Sequence, residues 1–256
     1  MAAEPVTYER RGAAAVLTID RPERRNAVDG PTAELLAEGY ERFEADEGAR
    51  VLILTGAGEL AFCAGADLKS IESFAPRIVL EEGPLGFTRR TPSKPAVAAI
   101  SGWCLAGGLE LALWCDLRIC AEGSTLGFPE RRWGVPLIDG GTQRMPRIIG
   151  LGRALDLILT GRMVGADEAL AMGLITEVVP AGQHLDRALE IAEALAAFPQ
   201  ETMLADRRAA IEGIGLPFSL GLRLEAQNAL PTFEAAQRGA ARFAGGEGRG
   251  GAGAGV

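Results

Sequence analysis

Short, wholly apolar runs alternate with amphipathic stretches of helical period along the first 180 residues. The run AAAVLTI (13–19) stops at Asp20 and Pro22, as a strand entering a loop does. After Gly30 the segment PTAELLAEGYERFEADEG opens on proline, carries acids early and repeats apolar residues at Leu35, Leu36, Tyr40 and Phe43, which predicts an amphipathic helix. VLILTGAGE (51–59) and KPAVAAISG (94–102) are apolar runs halted by glycine and predict buried parallel strands. CLAGGLELALW (104–114) is apolar on every side and long enough for a buried helix opened by Gly107 and Gly108, and DLRICAE (116–122) follows as another apolar stretch. This order of strand, helix and strand predicts an α/β fold.

The pentapeptide LILTG occurs at 52–56 and again at 157–161, but its flanks differ. The first copy runs into GAGE as a strand would. The second continues RALDLILTG, with Gly161 placed to cap a helix, so the repeat is read as chance. From 182 the period is helical throughout, with a break at Pro199, and the segment 245–256 holds seven glycines. Three regions are therefore expected: a core over 1–181, a helical region over 182–244 that makes oligomer contacts, and a flexible glycine-rich tail over 245–256.

Charge and rare residues narrow the function classes. With 26 Lys and Arg against 34 Asp and Glu, the net charge of −8 lacks the positive field on which nonspecific nucleic-acid or membrane-surface binding depends. No apolar run reaches the ~18 residues of a membrane span, and the N-terminus lacks the apolar region of a signal peptide, so a soluble, cytoplasmic protein is expected. Cys63, Cys104, Cys115 and Cys120 form no CxxC pair and lie among apolar neighbours, as buried reduced thiols do. The single histidine, His184, excludes zinc sites built on several histidines, and as a residue outside every candidate motif it is expected at the surface.

Three segments combine glycine with acids. In AFCAGADLK (61–69) a reversal at Gly65 could leave the next amide pointing outward and free to bind an anion, or could be an ordinary turn. In SGWCLAGGLELALWCD (101–116) a helix starting near Gly107 would present unpartnered amides at its positive end. Glu110 then falls in its first turn among Leu109, Leu111, Ala112, Leu113 and Trp114, where burial raises a carboxyl pKa toward the range of acid–base catalysis. That burial is equally compatible with a structural role. In STLGFPERRWGVPLIDGGTQRMPRIIG (124–150), Glu130 and Asp139 are either a paired acid and base or loop charges balanced by Arg131, Arg132, Arg144 and Arg147.

These three blocks, in this order and spacing, resemble the crotonase superfamily, specifically the enoyl-CoA hydratases and isomerases. RPERRNAV (21–28) resembles the family's early CoA-contacting loop, GRMVGADEALAMGLITEVVP (161–180) its later helix–strand signature, and the likeness spans roughly residues 5–245.

The resemblance implies a spiral of ββα units with a C-terminal helical region, assembling as a homotrimer or a dimer of trimers. It implies a thioester oxygen held by the backbone N–H groups of Ala66 and Gly107, with Glu110 and Glu130 holding a water between them. The activity implied is an enoyl-CoA hydratase, a lyase that adds water to a trans-2-enoyl-CoA with no metal or separate cofactor, CoA entering as part of the substrate. Arg25, Ala66, Asp67, Leu68, Lys69 and Gly107 would line the CoA path. Retention of both glutamates favours the hydratase over a Δ3,Δ2-enoyl-CoA isomerase, which works with the glutamate matching Glu130 alone, and over a non-catalytic acyl-CoA-binding protein; thioester hydrolysis is the further alternative that the family offers. Asp139 departs from the small residue common there. Pointing inward it would orient the water, serve as a third acid in double-bond isomerisation or assist thioester hydrolysis, and pointing outward it would cap the turn that follows. The segment 70–93, which shapes the acyl pocket in the family, matches nothing that fixes chain length.

Overall fold

The fold is that of a computed structural model, which describes residues 4–247. A hairpin of β1 (Val6–Arg11) and β2 (Ala14–Ile19) leads into α1 (Gly30–Ala45), then β3 (Val51–Gly56), β4 (Ala61–Cys63), β5 (Ala96–Ile100), β6 (Trp103–Leu105) and α2 (Gly107–Trp114). Next come β7 (Leu117–Ala121), β8 (Thr125–Gly127), α3 (Gly141–Ile149), α4 (Leu151–Thr160), β9 (Met163–Gly165), α5 (Ala166–Ala171) and β10 (Glu177–Val179). Helices α6 (His184–Ala197), α7 (Gln200–Glu212), α8 (Phe218–Ala229) and α9 (Phe233–Ala244) complete the described chain. One sheet has the order β1-β2-β3-β5-β7-β10 and is parallel except for the β1–β2 hairpin. The second has the order β4-β6-β8-β9, antiparallel only at β8–β9.

Strands β3 and β5 are buried along their whole length, which is why they read as unbroken apolar runs rather than as alternating ones. Helix α1 starts where expected: the Asp29 side chain accepts the Thr32 N–H at 3.0 Å, and Ala33, Leu36, Tyr40 and Phe43 form its buried face. The two LILTG copies adopt different structures, the first in β3 and the second closing α4, with Gly161 in the left-handed conformation as its cap. The four cysteines are buried thiols.

Two expectations need correction, and a third is refined: α2 starts at Gly107, as its glycines implied, while residues 103–105 before it form β6. Ala106, at φ 53° and ψ −127°, separates them, and since an L side chain is strained there its identity gave no sign of a break. The long helical pattern after 217 is divided by the Leu230–Thr232 turn, which contains Pro231. His184 is buried at 7% exposure, not on the surface, because it starts the stripe that Ala188, Ile191 and Ala192 continue at i+4, i+7 and i+8.

The chain divides into two compact units between Glu193 and Ala194, inside α6, whereas the sequence reading began the helical region at 182. The first unit contains both sheets and the apolar core. In the second, α7 packs on α8, and Phe218, Leu230, Phe233 and Phe243 are exposed. The expected tail falls on 245–256, of which 248–256 lie outside the described residues.

Candidate active site

The site is built where β4 ends beside the start of α2. Gly65 follows β4 with φ +88°, in the left-handed region that suits glycine. Ala66 pairs with Val28 only through its neighbouring peptides: Val28 N–H donates to Gly65 O at 2.8 Å and Asp67 N–H to Val28 O at 2.8 Å. The Ala66 N–H itself takes no part. Gly107, first residue of α2, likewise has no acceptor within its helix, and the positive end of the helix dipole lies there. The turned peptide after Ala106 sets the direction of the Gly107 N–H. A Cβ on Gly107 would stand 3.4 Å from Gly65 Cα and 3.7 Å from Ala66 N, so the two amides are neighbours. The outward-facing amides expected from the glycine spacing are therefore brought together.

Glu110, one turn into α2, is 2% exposed. Its Oε1 accepts the N–H groups of Gly141 at 2.7 Å and Asp139 at 3.0 Å. Burial among apolar side chains pushes its carboxyl up to about 8, with the Asp139 carboxylate adding to the rise and the two amides opposing it. Gly141 permits this approach, since a Cβ there would lie 3.0 Å from both Oε1 and Cγ of Glu110.

Glu130 lies in the 3₁₀ turn Pro129–Trp133, 6% exposed, and neither of its oxygens has a hydrogen-bond partner among the described residues. Burial raises it to about 7. Burial makes either carboxyl costly to keep charged, and both are pushed up toward neutrality, to about 8 for Glu110 and about 7 for Glu130, where proton transfer in either direction is nearly balanced.

Asp139 points inward, 3% exposed, and does not cap the turn that follows it. Its Oδ1 accepts the Leu85 N–H at 3.0 Å and the Thr88 hydroxyl, and burial raises its pKa. The outward orientation is thus overturned: Gly140, at φ +104°, turns the chain without side-chain help.

A cavity of about 520 Å³ joins these groups, lined by Arg25, Ala66, Leu68, Gly107, Glu110, Glu130 and Asp139. Its remaining walls are almost wholly apolar, with Phe74, Ile78 and Leu85 from the segment that gave no motif and Trp133, Val135 and Leu137 from the loop after Glu130. Sequence reasoning missed this second wall, although the apolar residues of WGVPLI after Glu130 were a usable signal. Arg25 lies 4.7 Å above the Trp103 ring, held by a left-handed backbone at Arg25 and Asn26. Asp67 and Lys69 are not cavity walls. The Asp67 carboxylate accepts the Lys69 N–H and one Arg21 N–H, at 3.1 and 3.2 Å, so it fixes the loop, and the Lys69 side chain is exposed. Among the described residues no group of three or more His, Cys, Asp or Glu is placed to hold a metal ion, and no helix is long and apolar enough to cross a membrane.

Three buried acids and two neighbouring backbone amides thus lie around one largely apolar cavity. The enoyl-CoA hydratase/isomerase family model matches residues 9–245, and the chain belongs to this family, with its crotonase fold. It is 34% identical to the crotonyl-CoA hydratase of Syntrophomonas wolfei over 230 residues, 88% of either chain. It is 36% identical to the (E)-benzylidenesuccinyl-CoA hydratase of Thauera aromatica over 222 residues, 85% of this chain and 86% of that one. The crystal structure of enoyl-CoA hydratase EchA1 from Mycobacterium marinum superposes with a TM-score of 0.88 at 38% identity, covering 94% of this chain and 96% of that one.

Proposed function

We propose that the protein is an enoyl-CoA hydratase that converts a trans-2-enoyl-CoA into a 3-hydroxyacyl-CoA. The observation that carries this reading is the pair of buried glutamates, Glu110 and Glu130, on the same cavity as the Ala66 and Gly107 amides. With one proton on the pair, one carboxylate removes a proton from water as the water oxygen bonds to Cβ. The C=C electrons move toward the thioester, whose oxygen gains charge facing the two N–H groups, and the other carboxyl then protonates Cα. One water is added, CoA is retained, and the pair still holds one proton. Prealigned amides stabilise the enolate oxygen by a few kcal/mol each. The thioester is the substrate's own, so the reading requires no separate cofactor.

Incubation with crotonyl-CoA and longer enoyl-CoAs tests the assignment. Loss of enoyl-thioester absorbance with a mass gain of one water is expected, and no loss at any chain length sinks the hydratase reading. A change in double-bond position at constant mass would make the enzyme an isomerase.

Arg25 is proposed to meet the CoA phosphates at the cavity. Arg25→Ala should raise KM about tenfold with kcat little changed, as expected for binding that is equal in ground and transition states; a fall in kcat at constant KM would remove Arg25 from that role.

The exposed Phe218, Leu230, Phe233 and Phe243 support homo-oligomerisation through the helical unit. Sedimentation velocity should show a trimer or hexamer, and a monomer at micromolar concentration would refute the assembly.

A further inference from the structure

The Asp139 carboxylate is buried and bonded, yet it takes no part in the reaction proposed above. Its two partners, Leu85 N–H and Thr88 Oγ1, belong to a turn more than fifty residues away in sequence. That turn is itself anchored: Phe87 stacks on Tyr40 of α1 with centroids 5.5 Å apart and meets Trp114 of α2 edge-on at 4.5 Å. Arg144 closes the other side by donating to Asp139 O at 2.8 Å and to Thr88 O. Meanwhile the Asp139 N–H, with that of Gly141, holds Glu110 Oε1. One residue therefore connects the rigid 85–88 turn, through its side chain, to Glu110, through its backbone.

We propose that Asp139 is a positioning residue for Glu110: its carboxyl group pins the 138–141 turn to Thr88 and Leu85, so that two amides aim Glu110 into the cavity beside a second, immobilised acid. The charged groups around the pair are Glu130 facing Glu110, Arg89 facing Asp139, and Arg144 facing both. A like charge makes a carboxyl harder to ionise, so Asp139 lifts the upper proton-release step of the glutamate pair and keeps Glu110 basic. The Leu85 side chain, carried by the same turn, lies against Gly107, where a Cβ would meet Leu85 Cδ1 at 3.0 Å. The clamp thus also backs one of the two oxyanion amides.

The proposal depends on the hydratase reading only for its kinetic readout. Asp139→Asn keeps an acceptor for both donors and removes the charge. Its kcat should stay within about tenfold of wild type, while the alkaline limb of the pH–rate profile moves down by about half a pH unit or more. Asp139→Leu strands the Leu85 N–H and the Thr88 hydroxyl, and should lower kcat by about 100-fold with KM within a few-fold. Thr88→Val should lower kcat without a comparable change in KM, and Thr88→Ser should restore it. An unmoved alkaline limb in Asp139→Asn together with wild-type kcat in Thr88→Val overturns the proposal, as does a loss of thermal stability alone with both kinetic readouts unchanged. Should Asp139→Leu not fold, Asp139→Asn and the two Thr88 variants decide. Infrared titration of the Glu110 carboxyl in the unliganded enzyme, with Glu110→Gln to identify its band, separates the two claims. A lower midpoint in Asp139→Asn supports the electrostatic part of the proposal and an unchanged one refutes that part, even if wild-type protein hydrates no enoyl thioester, while the Thr88 variants test the clamp.

Discussion

Glu110→Gln and Glu130→Gln should each lower kcat for crotonyl-CoA hydration by about 10³-fold while leaving CoA affinity nearly unchanged, within the range general acid–base catalysis contributes. The change is nearly isosteric, so the cavity keeps its shape and loses only the ability to take or give a proton. At Glu110 the amide oxygen still accepts from Gly141 and Asp139, and that part of the wall should stay in place. Wild-type rates in both variants would refute the assignment of the pair. The pH dependence of kcat/KM should be bell-shaped, because only the form with one shared proton is competent. Burial places the two carboxyls at about 7 and about 8. Below the lower value both are protonated and no base remains, and above the higher value both are ionised and no acid remains, so activity should peak between them. A profile flat from pH 5 to 9 would contradict this.

The second large effect concerns backbone rather than side chains. Gly65→Ala places a Cβ 2.8 Å from Gly107 N and 2.9 Å from Ala106 Cβ, at a φ of +88° that an alanine adopts only under strain. The strand end and the helix start must then move apart, and the two amides can no longer meet on one oxygen. Loss of one such donor costs about 10²–10³ in kcat, and a decrease of that size is expected with both glutamates intact. Retention of kcat in a folded Gly65→Ala protein would exclude the paired-amide site. Circular dichroism and a thermal melt distinguish that outcome from misfolding.

Local signals carried much of this in advance. Apolar runs located β2, β3, β5 and β7, and an acid amid five apolar residues marked Glu110 as buried. Where the physics was not local, the sequence was mute. Strand β1, VTYERR, holds only one apolar side chain, Val6, besides the ring of Tyr8 and pairs as the antiparallel edge of its sheet, so no apolar run marks it. The break at Ala106 was hidden because the residue that makes it is a good helix former. The direction of Asp139 was undecidable from its own loop, since both of its partners arrive with the 85–88 turn from the far side of the core. His184 shows the converse case: its place in an i, i+4, i+7, i+8 stripe was visible, and polarity alone argued for the surface.

The backbone at Ala106 has a consequence for how this enzyme tolerates change. An alanine there holds a conformation that glycine would occupy without strain, at a cost of order 1–3 kcal/mol. Ala106→Gly should therefore relieve the folded chain and, at the same time, widen the range of orientations open to the next peptide. Thermal tolerance and catalytic precision are coupled in opposite senses at one methyl group. Selection for a hardier protein and selection for a faster one would pull position 106 toward different residues.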